Sequence, residues 1–269
     1  MNKFDHYFQV NKDLWDKRTG IHLKSEFYHT ERILAGESAL TEIEHQYLPQ
    51  VDGKSLLHLQ CHFGLDTISL ARMGAQCTGI DFSTEAMRTA RELTARTGMH
   101  IPYYESNVYD VPRLGLPAFD LVFTSYGVLC WLPDLNAWAR VVAGALKQGG
   151  MLYLAEFHPV LYMFDFDKRT LSYPYQNTGQ AFEEWCEFSY TEATEKVGMN
   201  SWFWQHSLSE IINALIEAGM QIHIMHEIPW SPYHCFPGME ELGASRYYFG
   251  PKEAQIPHVL VVPAITSRG

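Results

Sequence analysis

From residue 55 onward, short apolar runs alternate with stretches whose apolar residues recur at helical spacing. The apolar runs predict five strands, at residues 55–60, 76–80, 101–105, 119–124 and 151–156. Parallel strands need a crossover segment between them, and a helix is the usual one. The alternation therefore predicts an α/β fold, with a mostly parallel, doubly wound sheet that carries helices on both faces.

The last two predicted strands, residues 221–228 and 258–264, are joined in a different way. The connection between them, residues 229–257, is rich in proline and is expected to hold at most one short helical turn. Because a parallel connection needs a packed crossover helix, its absence predicts that the last strand is antiparallel. We therefore expect seven strands in one sheet, with an antiparallel strand near one edge.

Two segments lie outside this alternation in what we expect to be a single domain over residues 1–269. Residues 1–50 show helical spacing in places and are predicted to form an N-terminal helical cap. Residues 157–206 are crowded with aromatic side chains and show no clean period. Long irregular segments inside a domain are typical of lids and binding loops, so we predict a substrate lid. A homodimer contact is the alternative, because interfaces are also enriched in aromatic residues.

The composition restricts the class of partner. A formal net charge of −11 disfavours nucleic acid, whose phosphates need a basic surface. No apolar run is long enough to span a membrane, and the N-terminus has no signal-peptide pattern. The five cysteines are scattered without metal-ligand spacing, which is typical of thiols in a reducing compartment. We expect a cytoplasmic protein that acts on small molecules, without a metal, nucleic-acid or membrane partner.

Ligands of open parallel sheets bind at the carboxyl ends of the strands. The turn Gln60-Cys61-His62-Phe63-Gly64 follows the first strand, and Gly64 opens a helix whose free N–H groups can hold polar ligand atoms. This turn is a candidate cofactor site. An ordinary tight turn between a strand and a helix is the alternative.

Asp81 lies at the carboxyl end of the second strand, 17 residues beyond Gly64. A carboxylate at this place can accept hydrogen bonds from both ribose hydroxyls of an adenosine cofactor. The alternative is a charge partner for the next helix, where Ser83 is the predicted N-cap.

Asn107 and Val108 follow the third strand. The Asn107 amide is a candidate to read the edge of an adenine while Val108 and Phe82 cover the faces of the ring. An asparagine that stabilises a turn is the alternative.

These residues belong to five successive motifs over residues 55–160: LLHLQCHFGLDT, GIDFS, ESNVYD, FDLVFTSYGVLCWLPD and GGMLYLAEFHP. Their succession resembles that of the class I S-adenosylmethionine-dependent methyltransferases. The segment WDKRTGIHLKSEFY, which begins at Trp15, resembles the start of a subgroup of small bacterial methyltransferases. The resemblance implies the strand order 3-2-1-4-5-7-6 with strand seven antiparallel, and S-adenosyl-L-methionine as cofactor.

The resemblance also implies roles for individual residues. Gln60, Cys61, His62 and Gly64 would line the amino-acid part of the cofactor. Asp81 would hold the ribose, and the three residues from Thr124 would face the methionine portion near the sulfonium. The adenine would lie among the residues named above for that role, which are Phe82, Asn107 and Val108, with Ser83 beside them.

One motif departs from the family. Its usual form is Asp-x-Gly-x-Gly-x-Gly, whereas the corresponding places hold His58, Gln60, His62 and Gly64. The single remaining glycine opposes an NAD(P)-dependent oxidoreductase, because a pyrophosphate needs close approach of backbone at several glycines. Because of the same departure, a second alternative function is a module that binds S-adenosylmethionine without catalysing methyl transfer.

An oxygen or nitrogen acceptor needs a base to remove its proton, and His158 after the fifth strand is the leading candidate. Tyr126 is a second acceptor-facing candidate. The alternative for His158 is a histidine that is hydrogen-bonded to the backbone at the end of a strand. The alternative for Tyr126 is an aromatic residue that packs in the core.

The N-terminal residues Trp15, Arg18 and Tyr28 are candidates to fold over the cofactor as a lid, and Trp131 is a candidate floor of the substrate pocket. Packing of a surface helix would explain the first three residues equally well. A structural contact at the entry of a helix would explain Trp131.

Overall fold

The computed structural model describes residues 3–166, 168–250 and 256–267 as strands and helices around one central sheet. Within these residues, the strands are β1 (Ser55–Leu59), β2 (Gln76–Asp81), β3 (Tyr103–Glu105), β4 (Phe119–Ser125), β5 (Leu146–Phe157), β6 (Phe164–Asp165), β7 (Thr170–Leu171), β8 (Phe182–Cys186), β9 (Met199–Phe203), β10 (Met220–Ile222), β11 (His226–Ile228), β12 (Glu240–Gly243), β13 (Arg246–Tyr248) and β14 (Val259–Thr266). The α-helices are α1 (Asp5–His22), α2 (Thr30–Leu34), α3 (Glu42–Tyr47), α4 (Leu65–Arg72), α5 (Thr84–Arg96), α6 (Leu135–Ala145) and α7 (Leu208–Glu217). Short 3-10 helices cover Glu26–Tyr28, Val108–Leu114, Leu129–Trp131 and Leu161–Met163.

The strand order of the central sheet is β10-β14-β5-β4-β1-β2-β3, and β11 also pairs with β14. The strands β1 to β5 are parallel to one another, whereas β14 is antiparallel to β5. The predicted order and the antiparallel last strand are therefore confirmed. The predicted sixth strand divides into β10 and β11, which both pair with β14, and the break leaves Ile224 and Met225 exposed.

The predicted boundary between a helix and the fifth strand was wrong. The spacing of Leu135, Trp138, Val142 and Leu146 in the sequence predicts a helix that ends at Gly149-Gly150. The observed helix α6 ends at Ala145, because Leu146 already pairs with Phe119 at the start of β4. The pairing then shifts register before Met151. The two glycines lie inside this irregular strand, where Gly149 has a φ of 72° that suits glycine.

The connection over residues 229–257 contains the hairpin of β12 and β13, which the sequence did not predict. Its strands are short and mostly exposed, so they lack the alternation of apolar and polar residues that identifies a strand in a sequence. The insert at 157–206 likewise holds two short hairpins, β6 with β7 and β8 with β9. Residues 251–255 of the connection lie outside the described residues.

The core lies on both faces of the sheet, as expected for parallel strands. Trp138 of α6 and Leu215 of α7 are buried on one face. Met87 of α5 and Ile43 of α3 are buried on the other. Each such side chain contributes roughly 1.5–3 kcal/mol through removal from water. These two layers hold the carboxyl ends of the parallel strands rigidly in place.

Helix α1 is tied to the start of α5 and to the insert. The hydroxyl of Ser83 donates to Asp16 at 2.6 Å, and the amine of Lys12 donates to the Thr84 hydroxyl at 2.6 Å. The Asn11 amide bonds both the N–H and the carbonyl of Trp202 in β9, at 2.8 and 2.7 Å. The N-terminal segment thus bridges the carboxyl edge of β2 and the aromatic insert. None of the described helices combines the length and the apolarity that a bilayer crossing requires.

Candidate functional site

The turn after β1 has the backbone of a glycine-rich loop although it contains one glycine. Gln60, His62 and Gly64 have φ angles of 55°, 49° and 80°. The left-handed region costs a residue with a Cβ roughly 1–2 kcal/mol, so this turn contains two strained residues, separated by Cys61. At Gly64 a Cβ would lie 2.6 Å from the Tyr103 hydroxyl, which explains why this glycine is kept.

The side chains of Gln60 and His62 each leave a buried polar atom without a partner among the described residues. The Gln60 amide donates to the Val128 carbonyl at 3.0 Å, but its Oε1 accepts no hydrogen bond. The Nε2 of His62 has no partner either. Burial, together with the charge of Arg18, lowers the pKa of His62 to about 3, so its imidazole is neutral.

His58 stands where the family usually has an acid, and it is part of the core. Its ring nitrogen Nδ1 lies 2.8 Å from the Thr67 hydroxyl, and burial lowers its pKa to about 3. The side chain is 2% exposed, so it is closed off from solvent.

Asp81 ends β2 beside this turn. Its two carboxylate oxygens accept the backbone N–H groups of His62 and Ser83, each at 2.9 Å. Burial raises the pKa of Asp81 to about 6, although the backbone hydrogen bonds lower it. A carboxylate has about four acceptor positions, so Asp81 keeps acceptor capacity for a ligand. Ser83 has the structural role of N-cap, with its hydroxyl accepting from Ala86 at 3.0 Å.

The three predicted adenine residues follow β2 and β3. The Oδ1 of Asn107 accepts the N–H of Tyr109 at 3.1 Å, which is the turn-stabilising bond named as the alternative. That bond does not use the amide nitrogen of Asn107. Val108 is buried and Phe82 is half-buried.

Arg18 of α1 is a buried cation without a carboxylate partner in the described part of the chain. Its side chain is 7% exposed, one terminal nitrogen donates to the sulfur of Cys186 at 3.3 Å, and its Nε has no partner. The guanidinium carbon lies 5.2 Å from the ring centroid of Trp15, 6.0 Å from Trp131 and 5.8 Å from Tyr190. A buried charge is normally paired, so this environment indicates a site for an anion.

Further unpartnered polar atoms surround this guanidinium. His22 bonds Ser189 at 2.6 Å through Nε2, but its Nδ1 has no partner among the described residues, and the same is true of the Trp131 indole N–H. The ring of His62 lies 5.2 Å from that of His22 and 5.3 Å from that of Trp15. Most buried polar groups are satisfied in folded proteins, so their concentration here marks a ligand site.

Tyr28 closes one side of this region. Its ring lies 5.5 Å from that of His62 and 4.9 Å from that of Phe63, and its hydroxyl bonds the Tyr190 hydroxyl. Trp15, Arg18 and Tyr28 therefore meet the turn after β1. The sequence did not single out His22 or Tyr190 as site residues. For Tyr190, the one signal in the sequence was the abundance of aromatic residues in the insert.

The end of β4 brings a third strained residue and two carboxylates that the sequence did not single out. Tyr126 has a φ of 41°, and its hydroxyl donates to Glu44 of α3 at 2.7 Å. Ser125 donates to Asp66 of α4 at 3.4 Å. Thr124 is fully buried, and its hydroxyl has no partner among the described residues. Asp66 follows the turn directly and reads in the sequence as an ordinary acid of a helix N-terminus.

His158 follows β5 and is occupied by protein contacts. Its Nε2 lies 2.9 Å from Glu227 of β11, and its Nδ1 accepts the N–H of Val160 at 3.2 Å. Burial lowers the pKa of His158, although Glu227 raises it. The alternative of a histidine bonded to the backbone therefore agrees with the Val160 contact of His158. The role of His158 as a base stays a prediction.

Glu156 organises the loop that follows β4. Its carboxylate is 1% exposed and accepts the N–H groups of Gly127, Val128 and Leu129 at 2.5, 2.8 and 2.9 Å. The loop in turn offers the Val128 carbonyl to Gln60. This buried acid fixes the backbone between β4 and Trp131.

Comparison with known proteins shows which sequences and folds this chain resembles. Residues 57–152 match the family described as a methyltransferase domain. The chain is 33% identical over 120 residues to a ubiquinone biosynthesis O-methyltransferase of Xanthomonas euvesicatoria pv. vesicatoria, which covers 44% of this chain and 50% of that protein. A protein with the same name from Xanthomonas axonopodis pv. citri is 36% identical over 103 residues, which covers 38% of this chain and 43% of that protein. The chain therefore matches half or less of the length of these relatives.

Solved structures show the same fold. An S-adenosylmethionine-dependent methyltransferase from Clostridium acetobutylicum superposes with a TM-score of 0.56 at 12% identity, over 99% of this chain and 100% of that one. Another from Mesorhizobium loti gives a TM-score of 0.52 at 21% identity, over 86% of this chain and 99% of that one. Residues 57–152 thus match a methyltransferase domain, and the chain has the fold of solved S-adenosylmethionine-dependent methyltransferases, in agreement with the resemblance of the motifs.

Proposed function

We propose that the protein transfers the methyl group of S-adenosylmethionine to a small-molecule acceptor. The observation that carries this proposal is that, among the described residues, the Arg18 guanidinium has no carboxylate partner and the Gln60 Oε1 and His62 Nε2 atoms have no hydrogen-bond partner, beside the carboxylate of Asp81. A ligand with an anionic end and a ribose would satisfy both parts of this arrangement. S-adenosylmethionine has a carboxylate at one end and an adenosine at the other.

The residues fit the amino-acid end of this cofactor. The Arg18 guanidinium can pair with the carboxylate, which would supply the counter-charge that the described residues lack. The neutral His62 can offer or accept one hydrogen bond at Nε2. Pairing would remove the cost of a buried single charge, which amounts to several kcal/mol.

The residues also fit the adenosine. The remaining acceptor capacity of the Asp81 carboxylate suits the ribose hydroxyls, and its bonds to His62 and Ser83 hold it at the turn and at the start of α5. The amide nitrogen of Asn107, which its bond to Tyr109 does not use, would bond the adenine edge, and Val108 and Phe82 would cover the faces of the ring. We therefore retain the predicted roles of these residues.

The sulfonium supplies an electrophilic methyl group, so the contribution of the protein is chiefly to align the acceptor and to exclude water. Alignment of two reactants alone can contribute about 7–11 kcal/mol. The hydrogen bonds of Asn11 in α1 to Trp202 in β9 hold α1 beside the proposed cofactor site. In this position α1 would help to exclude water. The aromatic insert at 157–206 is proposed to bound the acceptor side.

Oxygen acceptors are the first to test, because the relatives from Xanthomonas are named O-methyltransferases. We also propose a cytoplasmic location, in keeping with cysteines that are free and mostly buried. The strongly acidic net charge supports an acceptor other than nucleic acid. A homodimer through the insert stays a prediction, and the exposed Trp185 on β8 is a residue on which to test it.

A thermal-shift panel with S-adenosylmethionine, S-adenosylhomocysteine and NAD tests the proposal. A ligand at one hundred times its dissociation constant should stabilise the fold by about 2.7 kcal/mol. We expect a shift with the first two compounds and none with NAD. A response to NAD alone would favour an oxidoreductase. Binding of S-adenosylmethionine without methylation of phenols, alcohols or amines would favour the non-catalytic module.

A further inference from the structure

Asp66 is the least satisfied carboxylate around the candidate site. Asp81 accepts two backbone N–H groups, Glu156 accepts four, and Glu44 accepts from two hydroxyls and one N–H at 2.9 Å or less. Among the described residues, Asp66 accepts one hydrogen bond, from Ser125 at 3.4 Å. The Asp66 residue is half-buried, and most of the acceptor capacity of its carboxylate is unused by the described residues.

The position of Asp66 connects the two parts of the site. It lies in the first turn of α4, two residues after Gly64 and the strained turn. Its bond to Ser125 places it at the end of β4, where the family resemblance puts the methyl-donating end of the cofactor. The ionisable groups that face it from neighbouring elements are Glu44 of α3, Tyr28 of the 3-10 helix after α1, Tyr233 of the segment after β11, and Cys61 of the turn.

We propose that Asp66 is the general base that takes the proton of the acceptor during methyl transfer. This inference rests on the proposed function and names a catalytic residue for it. The acceptor is an oxygen or nitrogen group that carries a dissociable proton. That proton passes to a carboxylate oxygen of Asp66 as the acceptor atom forms its bond to the methyl carbon. The carbon–sulfur bond breaks at the same time, and its electron pair stays on the sulfur, which becomes a neutral thioether.

The electrostatics around Asp66 suit this role. Burial and the charge of Glu44 raise the pKa of Asp66 to about 7, which is close to the pH at which a general base works best. Burial also raises the pKa values of Tyr28, Tyr233 and Cys61, so these groups stay neutral. Asp66 is then a group at the end of β4 whose charge changes near neutral pH.

Sinefungin can test the assignment before an acceptor is known. In this unreactive analogue, a carbon that bears an amine replaces the sulfur and its methyl group. A carboxylate that faces the methyl position should pair with that amine, whereas S-adenosylhomocysteine has no group there. Isothermal titration calorimetry of both compounds at pH 8 should show that the wild-type protein binds sinefungin at least about tenfold more tightly. The α-amino group common to both compounds cancels in this ratio.

Three comparisons make the test decisive. The preference for sinefungin should fall to less than threefold in Asp66→Asn and should stay in Glu217→Gln, which neutralises an exposed acid on α7. In the wild-type protein the preference should decrease from pH 8 to pH 6, which needs no substitution and so does not depend on the folding of a variant. The affinity for S-adenosylhomocysteine should be the same in Asp66→Asn as in the wild type.

Each other outcome has a distinct meaning. An equal preference for sinefungin in wild type and Asp66→Asn would overturn the assignment of the base. A loss of S-adenosylhomocysteine affinity in a folded Asp66→Asn protein would also overturn it, because Asp66 would then hold the amino-acid part of the cofactor. Failure of the wild-type protein to bind either compound would instead contradict the proposed function itself.

Discussion

Replacement of Arg18 by methionine should separate the stability of the free protein from its affinity for S-adenosylhomocysteine. The guanidinium is 7% exposed, and among the described residues it has one weak sulfur acceptor and no carboxylate. Its contacts with three aromatic rings return roughly 0.5–2 kcal/mol, whereas burial of an unpaired charge costs several kcal/mol. Methionine fills a similar volume without a charge. The free energy of unfolding of the free protein should therefore stay the same or rise by about 1 kcal/mol.

The effect on binding should have the opposite sign. Loss of a charge-assisted hydrogen bond to the methionyl carboxylate costs about 1.5–3 kcal/mol, which weakens the affinity for S-adenosylhomocysteine roughly 10- to 150-fold. Urea denaturation measures the first quantity and isothermal titration calorimetry the second. Arg140→Met, which removes an exposed arginine on α6, is the matched control and should change neither. A destabilised Arg18→Met protein with unchanged affinity would refute the reasoning, because Arg18 would then be a structural residue.

Three further predictions concern carboxylates and the predicted base. Asp81→Asn should weaken S-adenosylhomocysteine binding by about 3 kcal/mol in calorimetry, since two charge-assisted bonds to the ribose are lost, and an unchanged affinity would exclude the ribose role. Because the folded-state pKa of Asp66 is raised from 3.8 to about 7, its stabilising effect is complete below about pH 4 and is lost as pH rises to 7. The free energy of unfolding of the wild type relative to Asp66→Asn should therefore fall over this range, and a rise in urea denaturation would contradict the shift. His158→Ala should lower the melting temperature through loss of its contact with Glu227 but leave methyl transfer intact, whereas abolished transfer would make His158 the base.

Much of the fold follows from local patterns in the sequence. Parallel strands buried on both faces are continuous apolar runs, and the missing crossover before β14 fixes its direction. Exposed elements carry no such pattern, which is why the hairpin of β12 and β13 was missed. Leu146 was assigned to a helix because its apolar spacing continues that of α6, and only its pairing with Phe119 shows that it belongs to β5.

The candidate site divides in the same way. The positions of Asp81 and Gly64 could be predicted because each depends on the end of a strand a few residues away. The surroundings of Arg18 could not, because Cys186 and Tyr190 are more than 160 residues distant in the chain. The positive φ of His62 could not be predicted from the sequence either, because a positive φ is normally expected only where the sequence has a glycine.

The central claim is that adenosylated sulfur compounds bind across the ends of β1 and β2. A crystal structure with S-adenosylhomocysteine at saturating concentration tests it most directly. We predict ribose hydroxyls within hydrogen-bond distance of the Asp81 carboxylate and the ligand carboxylate on the Arg18 guanidinium. A structure in which Gln60 and His62 fill that crevice, with no ligand density at the saturating concentration, would contradict the account.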